Sequence, residues 1–201
     1  TLSGGTGSDF LDGGDGNDTL EGGNGQDFLN GGSGDDVITI ETGDLTIGNF
    51  VSGGVGTDTL RLADGATNIN VSLANNAGIV NGFEVFDLRA GSHNQLSVTP
   101  TTVIGLSDTD TLRILGDATN TVNLSGGEWA NSGTTVISGQ TYNVLTASGA
   151  TLHVKQGVVT SSLSSGSQLP SFSISDATMA EGGTAVFTVT RSLNTSGTNT
   201  I

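Results

Sequence analysis

Along the first forty residues the apolar positions recur every nine residues, a spacing that fits neither a helix of period 3.6 nor a long alternating strand. Gly4 to Asp12 reads GGTGSDFLD, Gly13 to Glu21 GGDGNDTLE, Gly22 to Asn30 GGNGQDFLN and Gly31 to Thr39 GGSGDDVIT. Every copy has glycine at positions 1, 2 and 4, aspartate at position 6, and a large aliphatic at position 8: Leu11, Leu20, Leu29 and Ile38. Glycines that accept positive φ and close backbone approach make a six-residue turn, and the remaining three residues make a strand whose central aliphatic points inward.

One such unit buries nothing alone. Successive units should therefore alternate between two sheets, so that copies two units apart stack at about 4.8 Å in a parallel β-roll with a thin Leu and Ile core. Asp9 is then expected over Asp27 on one edge, and Asp18 over Asp36 on the other. A fifth copy, GGVGTDTLR from Gly53 to Arg61, follows thirteen residues that break the register. Asp58 is thus expected to lack a stacked partner in phase.

Beyond residue 61 the glycine period gives way to short alternating runs: Asn70 to Leu73, Phe83 to Leu88, Gln95 to Val98, Thr111 to Leu115, Thr121 to Leu124, Thr134 to Ile137 and Thr151 to Lys155. Gly, Asn and Asp punctuate them, as either a β-sandwich or a continued solenoid requires. A Ser-rich stretch over 160–170 reads as a linker before residues 171–201. With 33 Gly, 2 Pro and no helical clustering of helix formers, the chain is expected to be all-β without a long helix.

Charge sharpens this picture. The net charge is −15, from 20 Asp and Glu against 5 Lys and Arg, and no basic residue precedes Arg61. Such a balance repels nucleic acid and anionic membranes and attracts cations. Two ionised carboxylates about 5 Å apart repel by roughly 1 kcal/mol in water and ~3 kcal/mol at an effective dielectric near 20, so stacked aspartates need a counter-ion. Ca²⁺ suits them, because it takes about six to eight oxygens in flexible geometry, here carboxylates plus turn carbonyls; Mg²⁺ demands a tighter octahedron. The absence of Cys excludes disulfides and thiolate chemistry. No signal peptide opens the chain, and no apolar run approaches the roughly 20 residues that cross a bilayer, so no membrane insertion is expected.

The motif GGxGxDxUx resembles the RTX (repeats-in-toxin, haemolysin-type) calcium-binding repeats. The resemblance implies a calcium-loaded β-roll over 1–61, one-step bacterial export and folding on Ca²⁺ outside the cell. It places metal ligands at Asp9, Asp18, Asp27 and Asp36, with Asp58 as a further candidate, and carbonyls in the glycine turns at Gly4, Gly7, Gly13, Gly16, Gly22, Gly25, Gly31 and Gly34. The strings NGFEVFDLR, LSDTDTLRILGD, GGEWANSGTT and TYNVLTASGATLHVKQGV over 62–159 resemble a β-rich segment of giant bacterial surface proteins. SFSISDATMAEGGTAVFTVTR, in 171–201, is similar to the opening strands of a Calx-β domain, an immunoglobulin-like sandwich, with Glu181 at that family's calcium edge. The chain also starts within one nonapeptide and stops within that sandwich, as a piece of a longer protein would.

Other polar residues carry plainer expectations. Asp108, Asp110 and Asp117 read as turn residues rather than a second cation site. Trp129 reads as a core plug or lid, and His93 and His153 lack zinc-ligand spacing. Phe10 and Phe28, at position 7 of alternate copies, should stack on the outer face of one sheet as a docking surface for a neighbouring module or subunit. No GxSxG or HExxH occurs, and no enzyme is expected within these residues. The function expected is a calcium-binding structural and interaction segment of a secreted surface protein (adhesin, surface layer or filament); the alternative is a folding and secretion aid attached to an exported enzyme.

Overall fold

The structure is a computed structural model that describes residues 1–41, 50–63, 70–72, 79–161, 172–174 and 189–191. The nonapeptides form seven short strands: β1 (Leu2–Thr6), β2 (Phe10–Asp12), β3 (Thr19–Asn24), β4 (Phe28–Ser33), β5 (Val37–Ile40), β6 (Phe50–Val55) and β7 (Thr59–Leu62). As the nine-residue period requires, odd-numbered strands pair in parallel in one sheet and even-numbered strands in a second. The position-8 residues face each other across the roll, and Leu20, Leu29, Ile38, Val51 and Leu60 are all buried.

The register differs from the expectation at one point. Ile38 pairs with Leu60 and Leu29 with Val51, an interval of 22 residues in place of 18. Four additional residues between Ile40 and Phe50 enlarge one connection and leave the strand pairing intact. Phe50, Val51 and Ser52 are therefore positions 7 to 9 of a longer unit, and the copy at Gly53 to Arg61 is in phase with the rest.

Beyond β7 the coil gains a third side, the continued solenoid of the two architectures the alternating runs allowed. β8 (Asn70–Ser72) opens a third parallel sheet, and β9 (Val80–Asn81) ends the second one. The next coil contributes β10 (Val85–Asp87) to the first sheet and β11 (Gln95–Val98) to the third. Where the second sheet would continue, a short helix, α1 (Pro100–Leu106), contacts β9 instead, and the Phe83 N–H donates to the Leu106 carbonyl. Thr99 caps this helix and Pro100 sits at its first turn, which suits both residues. Sheet hydrogen bonds run from β7 directly to β10, so no gap in the pairing marks residue 61.

Two more coils follow, with β12 (Thr111–Leu115) and β16 (Ala150–Lys155) in the first sheet, and β13 (Thr121–Leu124) and β17 (Val159–Ser161) in the third. Between them a hairpin, β14 (Ala130–Ile137) and β15 (Gln140–Ala147), folds antiparallel onto β16 and completes a nine-stranded sheet. Ser138–Gly139 and Ser148–Gly149 make its two tight turns, all four residues at positive φ, as two-residue hairpin loops require. Phe83, Phe86, Leu112, Ile114, Trp129, Leu152 and Val154 are fully buried in a core continuous with that of the roll. The Trp129 Nε1–H donates to the Ser125 carbonyl at 3.3 Å, so this residue is a core plug.

Residues 1–164 form one compact unit and 165–201 another. In the second, β18 (Phe172–Ile174) pairs antiparallel with β19 (Val189–Arg191). Glu181 and most of the 160–170 segment lie outside the described residues. No described helix is long and apolar enough to cross a membrane.

Candidate metal centre

Each nonapeptide turn delivers its aspartate to the residue just before a strand, so strand pairing stacks the carboxylates. On one edge, preceding β2 and β4, Asp9 lies beneath Asp27, whose Oδ1 accepts the Asp9 N–H at 2.9 Å. On the other edge, preceding β3, β5 and β7, the Asp18 N–H donates to Asp36 Oδ1 at 2.7 Å and the Asp36 N–H to Asp58 Oδ1 at 2.8 Å. Asp58 thus has a partner in phase, contrary to the expectation. The 22-residue interval carries the ladder past the long connection.

The ladder also includes a residue the repeat pattern does not contain. Glu84, which precedes β10, accepts the Asp58 N–H through Oε2 at 3.1 Å and the Ser107 hydroxyl through Oε1 at 3.2 Å. Both its oxygens are occupied, so it closes the row. A parallel row forms at position 5: Asn17 Oδ1 accepts the Asp35 N–H and Asp35 Oδ1 the Thr57 N–H. The placement of an acid directly before the Val85-Phe86 strand was the signal for Glu84; the absence of a nonapeptide around it hid the match.

The glycines explain why the carboxylates lie where they do. A Cβ on Gly4, Gly13, Gly22, Gly31 or Gly53 would collide with the aspartate five residues on, because that side chain folds back over its own turn. On Gly13, Gly31 or Gly53 it would also meet the backbone oxygen of the glycine in the next coil. The carbonyls of Gly7, Gly16 and Gly34 face Gly25, Gly34 and Gly56 so closely that no side chain fits at those positions. Backbone oxygens and carboxylates therefore crowd the same narrow edge.

Three of these carboxylates are incompletely satisfied by protein. The Oδ2 atoms of Asp9, Asp36 and Asp58 are buried and accept no hydrogen bond, and among the described residues no Lys or Arg reaches any of them. A buried oxygen without a donor carries a desolvation cost of ~1–3 kcal/mol, more when charged. Burial, reinforced by the charges of Asp18 and Asp35, pushes the Asp36 carboxyl above its usual range against the hydrogen bond from Asp18. Burial pushes Asp58 up to about 6, the charges of Asp36, Glu84 and Asp35 adding to it and the Asp36 N–H opposing it. Such groups accept a proton or a cation.

The donor set consists of oxygen alone, which fits a hard cation. Among the described residues no three His, Asp or Glu side chains converge, so carboxylates by themselves would not fill a calcium shell, and turn carbonyls must complete it. Remaining candidates sit elsewhere. Asp117 Oδ1 accepts the N–H and hydroxyl of Thr119, a turn contact that holds its pKa below the usual range although burial works the other way. Asp110 takes φ 54° at the start of β12, and Asp108 is exposed. His93 is exposed beside the Ser92 hydroxyl; His153 lies on β16, its pKa lowered by burial and by Arg113.

The outer-face aromatic pair is a stack of three. Phe10 and Phe28 have ring centroids 4.7 Å apart and Phe28 and Phe50 4.6 Å, with nearly parallel planes, and Phe10 remains 69% exposed. Phe50 joins because the long connection preserves the register.

No curated protein and no solved structure matches the chain. A family model does: residues 3–38 match the RTX calcium-binding nonapeptide repeat, in four copies. The matched span covers the two aspartate edges through Asp36, and the repeat that it matches is a calcium-binding one.

Proposed function

We propose that the chain is a structural and interaction segment of a secreted bacterial surface protein, an adhesin, surface-layer or filament component, that folds and stiffens on extracellular Ca²⁺ and performs no catalysis. The carrying observation is the row of stacked aspartates with buried, unshared Oδ2 atoms. Asp9 with Asp27, Asp18 with Asp36, and Asp36 with Asp58 supply the carboxylates. The turns at Gly4, Gly7, Gly13, Gly16, Gly22, Gly25, Gly31 and Gly34 supply the carbonyls. Calcium at these edges turns carboxylate repulsion into cohesion between successive coils.

Linkage sets the size of the effect. At roughly 1–3 mM Ca²⁺ and a dissociation constant of ~0.1 mM, each site adds about 1.4–2 kcal/mol to folding. Where free Ca²⁺ is scarce the acidic stretch loses that support and stays threadable through an export channel. The Phe10, Phe28 and Phe50 stack serves in this reading as the contact for a neighbouring module.

The test is a calcium titration followed by circular dichroism, with Mg²⁺ as control, beside a variant changing Asp9, Asp18, Asp27 and Asp36 to Ala. A cooperative gain of β-structure with Ca²⁺ alone, lost in the variant, supports the proposal. A variant that responds to Ca²⁺ like the parent would sink the ligand assignment.

A further inference from the structure

The chain has five basic residues, and four of them, Arg61, Arg89, Arg113 and Lys155, gather on the outer face of the first sheet or at its rim. Arg61 pairs in register with Asp87 on β10, Asp87 with Leu115 on β12, Arg113 with His153 on β16, and Lys155 with Tyr142 on β15. Residues from strands far apart in sequence thereby line one open cleft of about 470 Å³, whose walls include Arg89, Arg113, Leu115, Gln140, Tyr142 and Lys155. Its volume falls in the range of small-ligand sites.

The charge there is not cancelled. Arg89 grips Asp87 through two hydrogen bonds, Nε to Oδ1 at 2.9 Å and an Nη to Oδ2 at 2.7 Å, and Arg61 lies 3.9 Å from the same carboxylate. One carboxylate thus faces two guanidinium groups. Arg113 and Lys155 make no ion pair among the described residues; Asp117 attracts Lys155 from beyond contact distance. Arg113 Nε is a buried donor with no acceptor, and Tyr142, only 3% exposed, makes no hydrogen bond through its hydroxyl among the described residues. In a chain of net charge −15, a face with spare cations and idle donors is arranged for an anion.

We propose that this cleft is an oxyanion-binding site, taking the carboxylate or sulfate group of a small acidic ligand between Arg113, Lys155 and Arg89, with the Tyr142 hydroxyl and Gln140 amide as further hydrogen-bonding partners. A guanidinium offers the planar fork that such groups match, and Lys155 adds a point charge. Leu115 and the Tyr142 ring supply an apolar wall for the rest of the ligand.

The test uses the full calcium-loaded chain, titrated by calorimetry with sulfate and with glucuronate at constant ionic strength, and with glucose as the neutral control. Both anions should bind saturably and glucose should not. Arg113→Gln and Lys155→Gln should each weaken binding about tenfold, while Arg61→Gln, on the same face but outside the cleft, should change it by less than about threefold. In the unaltered chain, glucuronate should shift the amide resonances of Gln140 and Tyr142 and leave those of Phe10 and Phe28 in place. Tighter binding of glucuronate would assign the site to carboxylated ligands, tighter binding of sulfate to sulfated ones. No saturable binding of either anion, equal weakening in Arg61→Gln, or unmoved Gln140 and Tyr142 resonances would overturn the proposal.

Discussion

The roll of β1 to β7 and the three-sided coils of β8 to β17 share two sheets but are held by different forces. In the roll a strand offers at most two buried aliphatics, and eleven acids lie before the first basic residue. The later coils bury Phe83, Phe86, Trp129 and several aliphatics per turn, and their carboxylates find donors: Asp87 from Arg89, Glu84 from Ser107, Asp117 from Thr119. A thin core needs a second source of cohesion, and the roll's edges are built to take it from a cation. A thick core does not. Glu84 stands at the junction, satisfied by the later coils on one oxygen and by the roll on the other.

The largest break in this contrast should come from Phe86→Ala, which empties a fully buried site in the later coils. It should cost ~3–5 kcal/mol in urea denaturation, by the same amount in Ca²⁺ and in chelator. Next is Asp87→Asn. Burial raises the Asp87 pKa, but the hydrogen bonds and charge of Arg89, with Arg61, outweigh it and hold the folded value below the usual carboxylate range. Its stabilisation is therefore present above the unfolded pKa and lost as pH falls through the lower, folded one. The variant should lose ~1–3 kcal/mol at neutral pH and converge with the parent in acid.

Asp58→Asn should show opposite signs in the two conditions. With its folded pKa pushed up to about 6 by burial, the calcium-free fold holds a proton that the unfolded chain has released, so that fold weakens as pH rises from about 4 to about 6. At neutral pH in chelator the variant should be the more stable of the two. In millimolar Ca²⁺ it should be the less stable, by the ~1.4–2 kcal/mol of one lost site. The smallest effect belongs to Phe10→Ser, which removes one exposed ring from a stack and should cost under ~1 kcal/mol with no change in calcium midpoint. A shifted midpoint would tie the aromatic stack to the metal edges.

The contrast also governs how far the fold is legible in the amino-acid sequence. Sheet alternation and the stacking of Asp9 on Asp27 follow from a nine-residue period, because the interval itself encodes the geometry. That logic fails where the interval changes: the longer connection before Phe50 conceals that Asp58 stays in phase, since loop length is free to vary while strand register is not. The capped helix at Thr99–Pro100 and the Ser-Gly hairpin turns carry local signals, but short ones, easily lost among many Ser, Thr and Gly. β15 is missed for that reason. The basic cleft is beyond reach of the linear pattern, because Arg89, Arg113, Tyr142 and Lys155 meet through the pairing of four strands that no repeat specifies.

The most direct test of the central claim, that a cation holds the roll and a hydrophobic core holds the rest, is amide hydrogen exchange read residue by residue in Ca²⁺ and in chelator. Chelation should strip protection from Leu11, Leu20, Leu29 and Ile38 while Phe86, Leu112, Ile114 and Val154 keep theirs. Equal protection of both groups in chelator would contradict it.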